Sequence, residues 1–420
     1  MKLHIVLIAQ LLTLTSAYNI LVMVPFPGLS HWLFMVRFID ELLERGHHLT
    51  VVTSHPREGA MNENYTEVLI NPIYDFQSFN SKDIFRTSRQ SDFANLKLFW
   101  THGLETTEYA LKDKEVKKFI SMKNHSFDCF IMEQFFSEAF LMFGHKFNIP
   151  TITLSILPNS HHLDNIMGLS TPWSFTPHFI LPYDDKMSFK EKTHNAILSL
   201  YDVFFRNIRY LPKMQKLVEE HFKGHVEKVP LVSTLEKKVS LVLVNSHRAT
   251  DGPRPTISGL VNIGGAHIKQ PQSLPTDFEE FIKSAEHGVI YFSLGAFLKS
   301  SEIPKDRLEI MLKIFGKLKQ KVLWKFEDEK MKGLPKNVMV KKWMPQNDIL
   351  AHKKVALFIT HGGRGGVLEG AYWGKPMLCL PLFGDQHTNV ERIKRKGLGF
   401  TLDFLTFTET ELVPQLTFPP

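Results

Sequence analysis

The sequence predicts an α/β protein of two Rossmann-like domains with parallel sheets, facing each other across a cleft. Three observations carry that prediction. A strand–loop–helix–strand pattern stands near the start of the chain, a second strand–glycine turn–helix pattern dominates its last third, and a Pro- and Gly-rich stretch separates them. At 420 residues the chain is long enough for two substantial domains, and its apolar and charged fractions are those of an ordered globular protein.

The elements follow in chain order. Residues 1–17 read as a secretory signal: Lys2, an apolar stretch from Leu3 to Leu14, then Ser16 and Ala17 at a cleavage point that leaves Tyr18 as the first mature residue. Residues 18–246 are expected to form the first domain. Its opening strand, Ile20 to Val24, leads through Pro25-Phe26-Pro27-Gly28-Leu29-Ser30 into a helix whose Trp32, Met35, Val36, Ile39, Leu42 and Leu43 recur at helical spacing. Gly46 closes that helix and Leu49 to Thr53 forms the next strand, so the unit should be right-handed and parallel. A further strand ends the run Phe127 to Glu133, and the last strand of the domain is expected at Ser240 to Asn245. The segments 71–126 and 158–228 are rich in Phe, His and Met and suit an apolar pocket.

Residues 247–285 are expected to be a linker region, and the part from His247 to Pro275, with several prolines and glycines, reads as a connection with little regular structure. Residues 286–420 should then form the second domain. Gly288 to Leu294 reads as a buried strand ending in Gly295-Ala296, Lys321 to Lys325 as another, and Val355 to Thr360 as a third that stops at His361-Gly362-Gly363, where a helical pattern begins. Such a helix start presents unpaired N–H groups and the positive end of the dipole, so a pyrophosphate can sit there without a metal.

Composition excludes several classes. Fifty Lys and Arg against 43 Asp and Glu give a dispersed charge of +7, with no nucleic-acid footprint. Two cysteines, Cys129 and Cys379, lie in apolar runs and read as small buried hydrophobes. No stretch after the signal approaches the ~20 apolar residues that span a bilayer. The sequons Asn64-Tyr65-Thr66 and Asn124-His125-Ser126 offer glycan acceptors in a secretory lumen.

The run from Trp343 to Gln386 is the most informative. A nicotinamide fingerprint fails here, because Gly363-Arg364-Gly365 is followed by Gly366, Val367 and Leu368 instead of a third spaced glycine. A serine hydrolase fails too, since no G-x-S-x-G elbow occurs in the chain. What remains is His361-Gly362-Gly363, Glu369, Pro376, Pro381 and Asp385-Gln386, with Trp343 and Gln346 upstream, and this pattern closely resembles the donor motif of the UDP-glycosyltransferases.

The resemblance implies a GT-B fold, a UDP-sugar co-substrate, a small lipophilic acceptor bound by the first domain, and no cofactor or metal. A D-x-D metal motif is also missing from the sequence. It further implies that Trp343 stacks on uracil, Gln346 reaches the nucleoside, Glu369 holds the ribose hydroxyls, His361 contacts phosphate, and Asp385 and Gln386 bind sugar hydroxyls, with Gly295, Gly363, Gly365 and Gly366 allowing close approach. Chemically, an indole is a stacking platform, a carboxylate accepts two vicinal hydroxyls, and an acid–amide pair supplies acceptors and donors together.

For catalysis the family resemblance points to His31, in a Ser-His-Trp site after the first strand, as general base, and to Glu133 as its orienting acid where many members carry Asp. An unperturbed imidazole ionises near ~6.5, so it can take a proton from an acceptor hydroxyl near neutrality. Asp128 is the alternative acid, but it precedes the strand and so lies at the other edge of the sheet.

Two departures from the pattern, Ala296 and Gly366, stand where relatives often carry hydroxyls. A third is Val413 to Pro420, whose three prolines interrupt an expected helix; the sequence reads as a form shortened before the family's membrane anchor, located in the endoplasmic reticulum lumen. The leading expectation is an inverting hexosyltransferase using UDP-glucose or UDP-glucuronic acid, with detoxification as its context. The competing one is a weak or inactive form that binds UDP-sugar or pairs with full-length membrane transferases.

Overall fold

The structure is a computed structural model and describes residues 17–59, 62–71, 84–85 and 90–416. The expected signal, residues 1–16 in particular, lies outside the described residues, as do residues 417–420.

Thirteen strands are described, and every pairing among them is parallel. The first sheet has the order β3-β2-β1-β4-β5-β6-β7, with β1 at Asn19–Val24, β2 at His48–Thr53, β3 at Tyr65–Leu69, β4 at Cys129–Glu133, β5 at Thr151–Ser155, β6 at Leu241–Val244 and β7 at Leu260–Asn262. The second has the order β10-β9-β8-β11-β12-β13, with β8 at Val289–Ser293, β9 at Lys321–Lys325, β10 at Val338–Lys341, β11 at Val355–Thr360, β12 at Met377–Cys379 and β13 at Gly399–Thr401. Both orders run 3-2-1-4-5-6 from one side, so the chain reverses direction across the sheet between β1 and β4 in the first and between β8 and β11 in the second. Loops that leave neighbouring strands in opposite directions open a crevice there, which is where ligands sit in open α/β sheets.

Burial explains why these segments pair. All five residues of β8, Val-Ile-Tyr-Phe-Ser, are buried, as expected of a parallel strand covered on both faces. The helix Leu29–Glu44 turns His31, Trp32, Phe34, Met35, Ile39 and Leu43 inward, close to the spacing read from sequence.

Two expectations are corrected. The connection 247–275 holds one short strand, β7, which extends the first sheet beyond β6, so Ser240 to Asn245 is not the last strand; the helix Thr276–Lys283 that follows buries Phe278 and Ile282 in the core that holds Tyr291 and Leu323 of the second domain. The prolines near the end do not stop the helix at Leu412 either. It runs Glu409–Leu416 with Pro414 inside. Proline in a helix interior costs about 3 kcal/mol. Leu412 and Leu416 are only 1 % and 3 % exposed, and burying two leucines at about 1.5–3 kcal/mol each offsets that cost.

The domains are locked together. Ile84 and Phe85, from the first half, are buried in the core of the second, Phe85 against Phe404 with ring centroids 5.3 Å apart. The helix Gln386–Arg395 docks back on the first half, where Thr388 Oγ1 donates to the carbonyls of Phe179 (2.7 Å) and Leu181 (2.5 Å). Arg395 pairs with Asp184 and Asp185 at 2.5 and 2.7 Å. Asp251 sits between Arg364 (2.5 Å) and Arg392 (2.8 Å), and Arg364 Nε also donates to the Asn245 carbonyl at 2.7 Å.

Candidate active site

His31 and Glu133 meet because β1 and β4 are neighbours. Met23 pairs with Met132, which places Glu133 at the carboxyl end of β4 beside the loop that leaves β1. The Nδ1 of His31 is hydrogen-bonded to Glu133 Oε1, and both side chains are buried. With Nδ1 engaged by the carboxylate, the lone pair is left on Nε2. The ring is wedged between Phe26 and Phe135, at centroid distances of 4.5 and 4.6 Å. Gly28 is required here: a Cβ would lie 2.7 Å from Phe26 and 2.9 Å from His31. Asp128 is at the opposite end of β4, accepting from the Asn19 backbone N–H at 2.8 Å.

The second domain supplies the facing wall. β11 ends at Thr360, as the sequence predicts, and pairs in register with Ser293 of β8, so His361 and Gly295 emerge side by side. The His361 ring is held between two glycines: a Cβ on Gly295 would lie 2.6 Å from it and one on Gly363 2.3 Å from it. Burial, reinforced by Lys325, pulls the imidazole pKa down to about 4, so His361 is neutral at physiological pH. The nine-residue helix Arg364–Tyr372 starts at once after Gly363. Gly365 and Gly366 are not forced by packing, since the nearest atoms to a Cβ there are 3.7 Å and 3.5 Å away.

Trp343 follows β10 and is 53 % exposed, a flat apolar surface open to a ligand. Gln346 is the first residue of the helix Gln346–Ala351. Its Oε1 accepts from Tyr291 Oη at 3.2 Å and its Nε2 donates to Glu369. Burial pushes the Glu369 carboxyl up to about 7, against the opposing effects of Gln346 and Arg37. Asp385 is likewise raised by burial; it accepts from Asn389 Nδ2 at 2.7 Å, and His31 across the cleft is among the groups near enough to act on it electrostatically.

Gln386 has one end of its amide engaged within the chain. It is 3 % exposed, and its carbonyl oxygen accepts from the Leu382 and Phe383 backbone N–H groups at 2.8 and 3.1 Å. That oxygen braces the loop before the helix, so the acid–amide pair does not present two acceptors to the cleft. Sequence reasoning missed Tyr291, Asn389 and Gly28. Tyr291 reads as one more buried residue in an apolar strand, and Asn389, which also donates to the Gly362 carbonyl at 3.1 Å, carries no motif. Only the spacing of Gly28 before His31 hinted at a tight approach.

One group of metal-ligating side chains occurs among the described residues, Glu138, His162 and Glu236. The Arg206 guanidinium occupies its centre, with Nη2 at 2.7 Å from Glu138 and 2.6 Å from Glu236. The charge a cation would supply is already supplied.

Two parallel-sheet domains with these constellations facing each other define a glycosyltransferase of GT-B architecture. Solved structures agree on the fold: a calicheamicin glycosyltransferase, CalG4, superposes with a TM-score of 0.62 at 16 % identity, covering 96 % of this chain and 89 % of that one. A UDP-glucose:anthocyanidin 3-O-glucosyltransferase in complex with UDP gives 0.59 at 18 %, covering 94 % and 88 %. The family is set by sequence. Residues 19–417 match the profile of the UDP-glucoronosyl and UDP-glucosyl transferases, and the chain belongs to that family. It is therefore a UDP-glycosyltransferase. It is 33 % identical over 406 residues to the UDP-glycosyltransferase UGT5 of Dactylopius coccus, covering 94 % of this chain and 76 % of the relative. It is 31 % identical over 410 residues to human UDP-glucuronosyltransferase 1A10, covering 93 % and 74 %. No helix of the described residues is long and apolar enough to cross a membrane.

Proposed function

We propose that the chain transfers a hexosyl group from a UDP-sugar to a hydroxyl of a small lipophilic acceptor in one inverting displacement. The observation that carries the reading is the buried His31–Glu133 pair, placed at the switch point of the first sheet and facing Asp385 of the second domain. The acceptor oxygen attacks the anomeric carbon as the bond from that carbon to the diphosphate oxygen breaks, and the acceptor proton passes to His31 Nε2. Glu133 stabilises the imidazolium that forms. UDP leaves with its new negative charge toward the N-terminus of the Arg364–Tyr372 helix, where backbone N–H groups and neutral His361 act as donors.

In this reading Trp343 stacks on uracil, Gln346 and Glu369 hold the nucleoside, and Asp385 with the free amide N–H groups of Gln386 holds the sugar. Of glucose and glucuronic acid, glucose is the donor this reading favours. UDP-glucosyltransferase 2 of Dactylopius coccus, a 29 % identical relative covered over 78 % of its length, is named for that class of donor. Action in the endoplasmic reticulum lumen, on lipophilic compounds to be detoxified, belongs to the same proposal.

Calorimetric titration with UDP, followed by turnover with UDP-glucose and UDP-glucuronic acid, tests it. Binding and transfer from UDP-glucose are expected; binding with no transfer from any UDP-sugar sinks the catalytic reading.

A further inference from the structure

The helix Leu29–Glu44 turns more than His31 toward the second domain. His31, Phe34 and Arg37 follow at steps of three residues, so they lie along one face, a turn from each other. Phe34 meets the His267 ring at a centroid distance of 5.3 Å. His267 in turn lies against the first turn of the helix Arg364–Tyr372, its Nε2 3.7 Å from the point where a Cβ on Gly365 would stand. One turn further along each helix come Arg37 and Glu369. A cation of the first domain is thereby brought near a carboxyl of the second, close enough that its charge acts on both Glu369 and His267.

Arg37 is not committed elsewhere. Asp40, an acid on its own helix, gives Oδ1 to Arg57, 3.0 Å from Nε and 2.9 Å from Nη2. The ion pair left to Arg37 among the described residues is with Asp40 Oδ2 at 3.6 Å, longer than a hydrogen bond. Its side chain is 35 % exposed.

Around Glu369 the charges are unequal. Gln346 donates to Oε2, Tyr291 of β8 and Asp348 of the helix Gln346–Ala351 are near enough to act on it, and Arg37 supplies the positive charge. Asp348 opposes ionisation of the carboxyl and Arg37 favours it.

We propose that Arg37 is a positioning residue of the donor site, a cation lent by the first domain that acts through Glu369, the group that takes the ribose diol. Its charge favours the carboxylate, which accepts from both hydroxyls. Because the two side chains belong to different domains, nucleotide binding is strongest with the cleft closed. This rests on the reading of the cleft as a UDP-sugar site.

Calorimetric titration of the full chain with UDP between about pH 6 and pH 9 tests it, on the unmodified protein, on Arg37→Met, which keeps an apolar stem, and on Arg37→Lys, which keeps the charge. Loss of a nearby opposite charge is expected to raise the proton affinity of Glu369 about fivefold. Arg37→Met should then bind UDP about fivefold more weakly near pH 6, about threefold more weakly near pH 7 and almost equally near pH 9, while Arg37→Lys follows the unmodified chain. Should Arg37→Met not fold, Arg37→Gln takes its place with the same expectation. A loss of equal size at every pH marks a merely structural role and overturns the proposal, and so does a profile unchanged in the variant that lacks the charge. UDP that fails to bind the unmodified chain at any pH removes the donor-site reading and this inference with it; binding with superimposed profiles removes this inference alone.

Discussion

Glu369 shows how one carboxyl can make donor binding depend on pH. Burial raises it to about 7 in the free protein, while the ribose diol is best held by the ionised form, which accepts from both hydroxyls. Binding of UDP should therefore release a fraction of a proton near neutrality and weaken as pH falls below about 7; titration in buffers of different ionisation enthalpy measures that release, and a buffer-independent heat contradicts it. His31→Ala should lower turnover by about 10²–10⁴-fold and leave UDP affinity unchanged, because the ring belongs to the acceptor side. Unchanged turnover would remove His31 from the chemistry. The meeting of His31 and Glu133 was legible because a loop after the first strand is a ligand-facing position in an open sheet, and the family resemblance pointed to the acid that ends β4. The tie of the Gln386 carbonyl to Leu382 and Phe383 was not, since an acid–amide pair looks the same whether the amide faces a ligand or braces its own loop.

At the scale of elements, long buried strands were read well and short ones poorly. β9 and β11 have the predicted ends because their apolar runs, Val322–Trp324 between two lysines and Val355–Ile359 between Lys354 and Thr360-His361, leave little choice. β7 was missed because three residues, Leu260–Asn262, carry no period, and the surrounding prolines and glycines read as loop. The strand–turn–helix unit at His361 also makes a steric prediction. Gly363→Ala places a methyl group within 2.3 Å of the His361 ring, so the ring must move. UDP affinity should fall by about tenfold or more, whereas Gly366→Ala, with 3.5 Å of room, should change it little; equal effects in the two variants would show that His361 does not govern the site. Helix Glu409–Leu416 offers a stability test. Pro414→Ala restores a hydrogen bond and should add about 1–2 kcal/mol, read as a higher denaturant midpoint.

The whole molecule depends on contacts across the cleft that no local pattern announces. Asp251 lies in a Pro- and Gly-rich segment, yet it holds Arg364 beside the glycine turn and Arg392 on the following helix. Burial opposes its ionisation, but the two guanidinium groups win and hold its carboxyl below the usual value. Its stabilisation is thus present above about pH 4 and is lost as pH falls through its lowered native value. His361 and His267 act over a higher window. Both are pulled down to about 4, chiefly by burial, so the unfolded chain binds protons that the folded one refuses between about 6.5 and 4. Thermal midpoints should drop steadily across that interval, and a flat profile there would contradict the neutral, buried state of these rings. The order of the strands has a last consequence, for synthesis. Every strand of the first sheet precedes residue 263, and every strand of the second follows residue 288. A nascent chain can complete the first lobe on the ribosome before the second emerges. Thr388 and Arg395 reach their seats near residues 179–185 only after the strands of both lobes have emerged, so the active cleft closes after the two sheets are made.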